Sequence, residues 1–160
     1  MGQEVELIAP PKGQEMCSPG WGEVEEERRI FVWAAVDVDT REVLAIRASR
    51  TRSSPDAYML IGKALKACMN RPLFLVDKGP WYPWALNRLG LKWKHVTFGM
   101  RNRIERWFRT LKRRTKVFCN NINQRRGGLK DITTFLELYA MWYNRLRYHQ
   151  SLGRCPSYVA

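Results

Sequence analysis

Two carboxylates in this chain have the neighbours that metal chemistry would need. Asp77 ends the apolar run Leu73-Phe-Leu-Val-Asp77, which is typical of a buried strand, and Glu105 is the only acid between residues 101 and 130. A carboxylate at the C-terminal end of a strand and another within a basic helix are ligands that a two-metal phosphoryl-transfer site on nucleic acid requires. The two residues therefore predict metal-dependent chemistry on a phosphodiester.

Charge is distributed unevenly along the chain. Residues 1–28 hold seven acids against two bases, residues 101–130 hold eleven bases against one acid, and the net charge is +13 at pH 7. Such an excess indicates a polyanionic partner or an anionic membrane surface. No apolar run approaches the roughly 18 residues of a membrane span, and the N-terminus does not resemble a signal sequence. We therefore expect a cytoplasmic protein without a membrane partner.

The basic segment is predicted to form a helix from about Met100 to Phe118. Positions 104, 108, 111, 115 and 118 form a core-facing stripe. A second stripe beside it consists of Arg101, Glu105, Arg109, Lys112 and Lys116. A helical salt bridge from Glu105 to one of these arginines is the alternative role for this acid. One glutamate cannot neutralise the remaining bases, so the helix is predicted to contact phosphates.

The other patterns predict one α/β domain. Residues 1–28 contain prolines, glycines and a glutamate run without sustained periodicity, and are predicted to be irregular. From residue 29 onward a hairpin, at about residues 30–36 and 43–46, is followed by alternating helices and strands. This order indicates a mixed sheet with helices on its faces. Active sites of such folds gather at the C-terminal ends of parallel strands, where Asp77 is expected.

Two blocks of sequence around these acids resemble the DDE transposases of prokaryotic insertion sequences. The first block is Val76-Asp-Lys-Gly-Pro-Trp-Tyr82. The second runs from His95-Val-Thr-Phe-Gly-Met-Arg-Asn-Arg-Ile-Glu105 into Arg106-Trp-Phe-Arg-Thr-Leu-Lys-Arg-Arg114. The similarity covers about residues 30 to 156 and looks closest to short archaeal-type members with an integrase-like catalytic core. It implies that Asp77 is the second acid of the family's metal-binding triad and Glu105 the third.

The resemblance also implies a fold, a cofactor and a partner. The fold is a ribonuclease H-like mixed sheet flanked by helices, in residues 29–160. The cofactor is Mg²⁺ or Mn²⁺, which would activate water or a 3′-hydroxyl for in-line attack on DNA. The partner is DNA, on which a homo-oligomer could assemble. The basic side chains expected to contact DNA are Arg52, Lys78, Arg101, Arg109, Lys112, Arg113 and Lys116.

One part of the family's pattern is missing from its expected place. The first acid belongs to an Asp-Glu-Thr motif on the strand before residues 30–36, and counting back leads to residues 17–21, which read Cys-Ser-Pro-Gly-Trp. Asp37 and Asp39 are predicted to form a polar hairpin turn, and Glu23 to Glu27 lie in the irregular segment. The catalytic core is therefore predicted to be incomplete, as in a transposase truncated or rearranged at its N-terminus.

Two functions are compatible with the resemblance, and the charge by itself is also compatible with a third, a cationic protein at a membrane surface. The first is DNA transposition by DDE-type cleavage and strand transfer with two divalent metals, impaired because the first acid is missing. The alternative is a catalytically inactive transposase remnant that still binds DNA through its basic helix.

Overall fold

The computed structural model describes residues 3–8, 30–96, 102–115 and 128–157. Within them, the side chains of Glu6, Ile8, residues 102–105, Lys112 and Thr115 lie outside the description. The elements follow in the order β1 (Glu4–Ile8), β2 (Phe31–Asp37), β3 (Val43–Ser49), α1 (Ser54–Ala67), β4 (Leu73–Val76), α2 (Tyr82–Arg88), β5 (Trp93–His95), α3 (Asn102–Thr115) and α4 (Gly128–Arg145).

The strands form one mixed sheet in the order β3-β2-β1-β4-β5. β1 pairs antiparallel with β2 and parallel with β4, and β4 pairs parallel with β5. The three parallel strands therefore end at the same side of the sheet, which we call the carboxyl edge. This arrangement confirms the mixed sheet that the alternation of strands and helices predicted.

Each face of the sheet is covered by two helices. On one face, Val5 and Leu7 of β1 pack with Phe74 and Val76 of β4 against α1 and α2. On the other face, β2 and β3 pack against α3 and α4 through a second cluster that includes Trp107. Because side chains alternate along a strand, the position of Glu6, between Val5 and Leu7, belongs to the face that α3 and α4 cover.

β1 corrects the prediction that residues 1–28 are irregular throughout. Glu4–Ile8 forms the central strand of the sheet, with β2 on one side and β4 on the other. Its alternating acids and aliphatic residues suit a strand whose two faces differ, and Val5 and Leu7 are fully buried. A strand does precede the hairpin, and truncation or rearrangement of the N-terminus stays a prediction. Residues 17–21, where that strand was expected, lie outside the described residues.

The hairpin between β2 and β3 is closed by Asp37, as predicted. This carboxylate is buried and accepts hydrogen bonds from the backbone N–H groups of Asp39 and Thr40, at 2.9 and 2.8 Å, and from the Gln3 amide at 2.7 Å. These three hydrogen bonds hold the Asp37 carboxylate in the turn. It also lies at the side of the sheet opposite the carboxyl edge, since it pairs with Val5 at the beginning of β1.

Candidate metal and nucleic-acid site

Asp77 is the first residue after β4 and lies at the carboxyl edge. Its side chain is half-buried, and its Oδ1 accepts a hydrogen bond from the backbone N–H of Gly79 at 3.0 Å. The turn requires glycine here, because a Cβ at residue 79 would lie 2.5 Å from the indole nitrogen of Trp81. Local packing of Trp81 thus fixes the backbone that orients Asp77.

Arg52 lies at the same edge and stacks on that tryptophan. Its guanidinium carbon is 4.2 Å from the centroid of the Trp81 ring and 5.9 Å from that of Phe31. Ser49, the last residue of β3, pairs with Phe31, so the chain enters the Arg52 loop at the carboxyl edge. A guanidinium held over an aromatic face is both ordered and positively charged. The structure therefore brings Arg52 and Asp77 to one edge of the sheet, with Trp81 between their loops.

Glu105 is the fourth residue of α3. The helix packs on the sheet through Trp107, Phe108 and Leu111, each less than 5% exposed. Glu105 precedes Phe108 by one turn, which puts this position beside the buried stripe, on the face of the sheet to which the Glu6 position belongs. Its side chain lies outside the described residues, so its pairing with an arginine or a metal stays a prediction.

A third acidic position was missed from the sequence. Glu6 on β1 pairs with Val36 of β2 on one side and with Leu75 of β4 on the other. Leu75 precedes Asp77 by two residues, so Glu6 and Asp77 occupy neighbouring strands near the same edge. The signal was the short alternation Glu4-Val-Glu-Leu7, which predicts a strand with one apolar face.

The predicted DNA contacts are divided between described and undescribed residues. Lys78, Arg109 and Arg113 are exposed and thus accessible to a phosphate, and Arg52 is half-buried. Arg101, Lys116 and the side chain of Lys112 lie outside the described residues. Four described arginines of α3 are thus exposed to a ligand, the predicted contacts Arg109 and Arg113 together with Arg106 and Arg114.

The described side chains alone do not form a metal site. Among them, no three histidine, cysteine, aspartate or glutamate residues lie close enough to hold an ion. Glu6 and Glu105 are the two acids that could complete a set with Asp77. The structure describes only the backbone positions of these two residues. Separately, no helix in the described ranges is long and apolar enough to cross a membrane.

Comparison with known proteins connects this geometry to one family. A family model described as a DDE domain, of the IS240 transposase type, matches residues 24–143, well over half of the chain. An uncharacterized protein of Methanocaldococcus jannaschii is 41% identical over 118 residues, which make up 74% of this chain and 55% of that protein. The chain thus spans about half the length of this curated relative.

Solved structures identify the fold. The catalytic core domain of BIV integrase superposes with a TM-score of 0.67 at 13% identity, covering 98% of this chain and 92% of that one. The HTLV-2 integrase catalytic core, in complex with magnesium, gives 0.57 at 15% identity, covering 98% and 94%. Both similarities confirm the ribonuclease H-like fold of an integrase catalytic core. With this fold and the match over residues 24–143, the chain belongs to the DDE domain family of transposases.

Proposed function

We propose that this domain binds DNA and cleaves and joins phosphodiester bonds in transposition, with Glu6, Asp77 and Glu105 as its metal-binding carboxylates. The observation that carries the proposal is the register of the central strands. Glu6 is paired with Leu75, two residues before Asp77, on the sheet face that α3 covers. Three acids from β1, the end of β4 and α3 would thereby converge on one region.

The chemistry of these residues fits a divalent cation. Carboxylate oxygens are the ligands that Mg²⁺ and Mn²⁺ prefer, and the HTLV-2 core that shares this fold was solved with magnesium. Glutamate in place of the family's first aspartate keeps the two oxygen donors on a side chain one methylene longer. A bound cation there would stabilise developing charge on the phosphate and lower the pKa of an attacking hydroxyl.

The protein side chains would orient the reacting groups. The attacking oxygen, from water or a DNA 3′-hydroxyl, loses its proton and bonds to phosphorus, while the phosphorus–oxygen bond opposite to it breaks. Arg52, stacked on Trp81 at the carboxyl edge, is placed to pair with a phosphate beside the reacting one. Lys78 follows Asp77 directly and is exposed, so it can contact the same strand.

A supercoiled plasmid incubated with Mg²⁺ or Mn²⁺ tests this proposal. The wild-type protein should produce nicked circles, and Asp77→Asn, Glu105→Gln and Glu6→Gln should each lower the rate by about a hundredfold or more. That is the scale on which loss of one electrostatic contact to a transition state lowers kcat. The matched control is Asp39→Asn, the same loss of charge at an exposed turn residue opposite the carboxyl edge. It should nick at the wild-type rate.

A second candidate function is DNA binding without catalysis. It is favoured by the absence of aspartate from β1, whose residues are Glu-Val-Glu-Leu-Ile. If no nicked product forms at any metal concentration while the protein still retards DNA in a gel, the catalytic proposal fails and this second function stands. If Asp77→Asn removes nicking but Glu6→Gln does not, Glu6 is not a metal ligand.

A further inference from the structure

An arginine-rich cavity lies between β2, α3 and the end of α4. Its volume is about 250 Å³, and Val36, Trp107 and Tyr143 form part of its wall. The basic groups that line it are Arg41, Arg106, Arg109, Arg147 and His149. No acid is among its described lining residues, and no ion pair in the described part of the chain involves these four arginines. The cavity therefore concentrates positive charge.

The cationic groups are held in place by the protein. The guanidinium of Arg41 donates to the Ser151 hydroxyl and lies 3.4 Å from Nδ1 of His149. That nitrogen is also 3.1 Å from the Ser151 hydroxyl oxygen. Arg147 lies over the ring of Tyr143, with its guanidinium carbon 5.2 Å from the centroid. Ordered guanidinium groups lose little entropy when they bind an anion.

Two further observations favour an anion as the ligand of this cavity. Burial, followed by the charges of Arg41, Arg147 and Arg106, lowers the pKa of His149. Three arginines thus add positive charge around a partly buried ring, and an anion would offset the mutual repulsion of these charges. In addition, Trp107 lines the cavity, and its indole N–H is buried without a hydrogen-bond partner among the described residues, so a small movement of the ring would let it donate to a ligand there. A phosphate oxygen would neutralise the arginines and accept such a hydrogen bond.

We propose that this cavity is a second phosphate site, which binds a backbone phosphate of the DNA a few nucleotides from the one at the carboxyl edge. Val36 pairs with Glu6, and Glu6 pairs with Leu75, so Val36 and Leu75 are separated by two strand spacings, about 10 Å. Successive phosphates of one strand advance about 3.4 Å along a duplex. One strand could therefore reach both places.

Only part of this inference rests on the proposed function. Binding of a phosphate anion requires nothing but the cavity and its arginines. Identification of that anion as a DNA phosphate requires, in addition, that the domain acts on DNA. The two statements can be tested separately, because the chain has only two histidines and they report on different places. His149 lines the cavity, whereas His95 pairs with Val76 at the carboxyl edge.

The test is a titration of the two histidine rings by NMR, with inorganic phosphate as the probe. Phosphate should raise the pKa of His149 and should not perturb the ring resonances of His95, with sodium chloride at equal ionic strength producing a smaller shift at His149. Arg147→Gln should weaken phosphate binding about tenfold, the effect of losing one charge-assisted contact. Arg41→Asn should act likewise and keep the fold, because asparagine tolerates the left-handed φ of 62° at this residue. Arg88→Gln, on the opposite face of the sheet, is the control and should bind as wild type.

Three outcomes separate the cavity from the proposed catalytic edge. An equal shift with chloride and phosphate would mean screening only and would overturn the phosphate site. A phosphate-specific shift of His149, together with broadening of His95 by Mn²⁺, would support both sites. A phosphate-specific shift without broadening of His95 would keep the anion site and contradict the metal site. A short DNA duplex should shift His149 as phosphate does, and a duplex that binds but leaves His149 unshifted would overturn the DNA assignment.

Discussion

The residues around His149 change the acid–base chemistry of its ring. Its ring is partly buried and faces Arg41, Arg106 and Arg147, which all disfavour its protonated form. The other described residues that line its cavity include no acid that would favour the proton; they are Val36, Trp107, Arg109, Thr110 and Tyr143. The residue is therefore neutral at pH 7 in the folded protein and titrates below the ordinary value of 6.5.

This lowered pKa predicts how His149 links stability to pH. The unfolded chain takes up the proton near pH 6.5, whereas the folded protein takes it up only at lower pH. The contribution of His149 to the free energy of unfolding is therefore fully present above pH 6.5 and is lost as the pH falls below it. Urea denaturation at about pH 7.5 and about pH 5.5 measures this loss. His149→Gln cannot titrate and should lose less stability between the two pH values. An equal loss in both proteins would show that His149 is not the group responsible.

Among the secondary-structure elements, β3 and α4 are joined by one buried side chain. β3 is an edge strand, and Asn144 near the end of α4 supplies the partner that its first residue lacks. The backbone N–H of Val43 donates to Oδ1 of Asn144 at 2.9 Å, and Nδ2 of Asn144 donates to the carbonyl of Val43 at 3.0 Å. The side-chain amide thus continues the sheet's hydrogen bonding into the helix layer.

Asn144→Ala should destabilise the domain by about 2 to 3 kcal/mol, because it leaves a buried N–H and a buried carbonyl without partners. Asn144→Asp should also destabilise, since its carboxylate can accept from Val43 but cannot donate to the carbonyl. The free energy of unfolding from urea titration measures both effects. Asn70→Ala, at an exposed position, is the matched control and should change stability by less than about 0.5 kcal/mol. A loss at residue 144 no larger than this would show that the two hydrogen bonds are not essential.

The elements with a clear apolar periodicity were predicted from the sequence, and their boundaries were correct to within a few residues. β1 was not predicted. β4 carries a continuous apolar run and α3 a helical apolar stripe, and local sequence determines both patterns. β1 is only five residues long, and it owes its stability to pairing with β2 and β4, partners that lie far along the chain. The sequence of a short strand contains little information about such long-range pairing.

The same difference separates the site residues that were predicted from those that were missed. Asp77 and Glu105 were found because a strand or a basic helix surrounds each of them in sequence. The arginine cavity was not found, because Arg41 and His149 are 108 residues apart and meet only in the folded domain. For metal binding and DNA contact, the roles of the predicted residues remain predictions.

At the scale of the whole molecule, the dominant property is the net charge of +13. The basic residues are not confined to one element. Arg52 and Lys78 lie in loops at the carboxyl edge, Arg109 and Arg113 are exposed on α3, and Arg147 follows α4. Val36 at the arginine cavity and Leu75, two residues before Asp77, are separated by about 10 Å across the strands, so a single extended polyanion could contact both the cavity and the carboxyl edge. Charge of this extent favours electrostatic association over contacts specific to one base sequence.

The salt dependence of DNA binding measures that association. If three to six phosphates are contacted, the logarithm of the binding constant should fall linearly with the logarithm of salt concentration, with a slope of about −3 to −5. Arg113→Gln, which removes an exposed charge from α3 outside the arginine cavity, should make the slope shallower by about 1. Arg88→Gln removes the same charge from α2 on the opposite face and should leave the slope unchanged. Fluorescence anisotropy of a labelled duplex, repeated at several salt concentrations, gives all three slopes. If both variants change the slope equally, net charge alone governs binding and α3 is not the DNA-binding surface. If the wild-type slope is near zero, phosphates are not the groups that this domain binds.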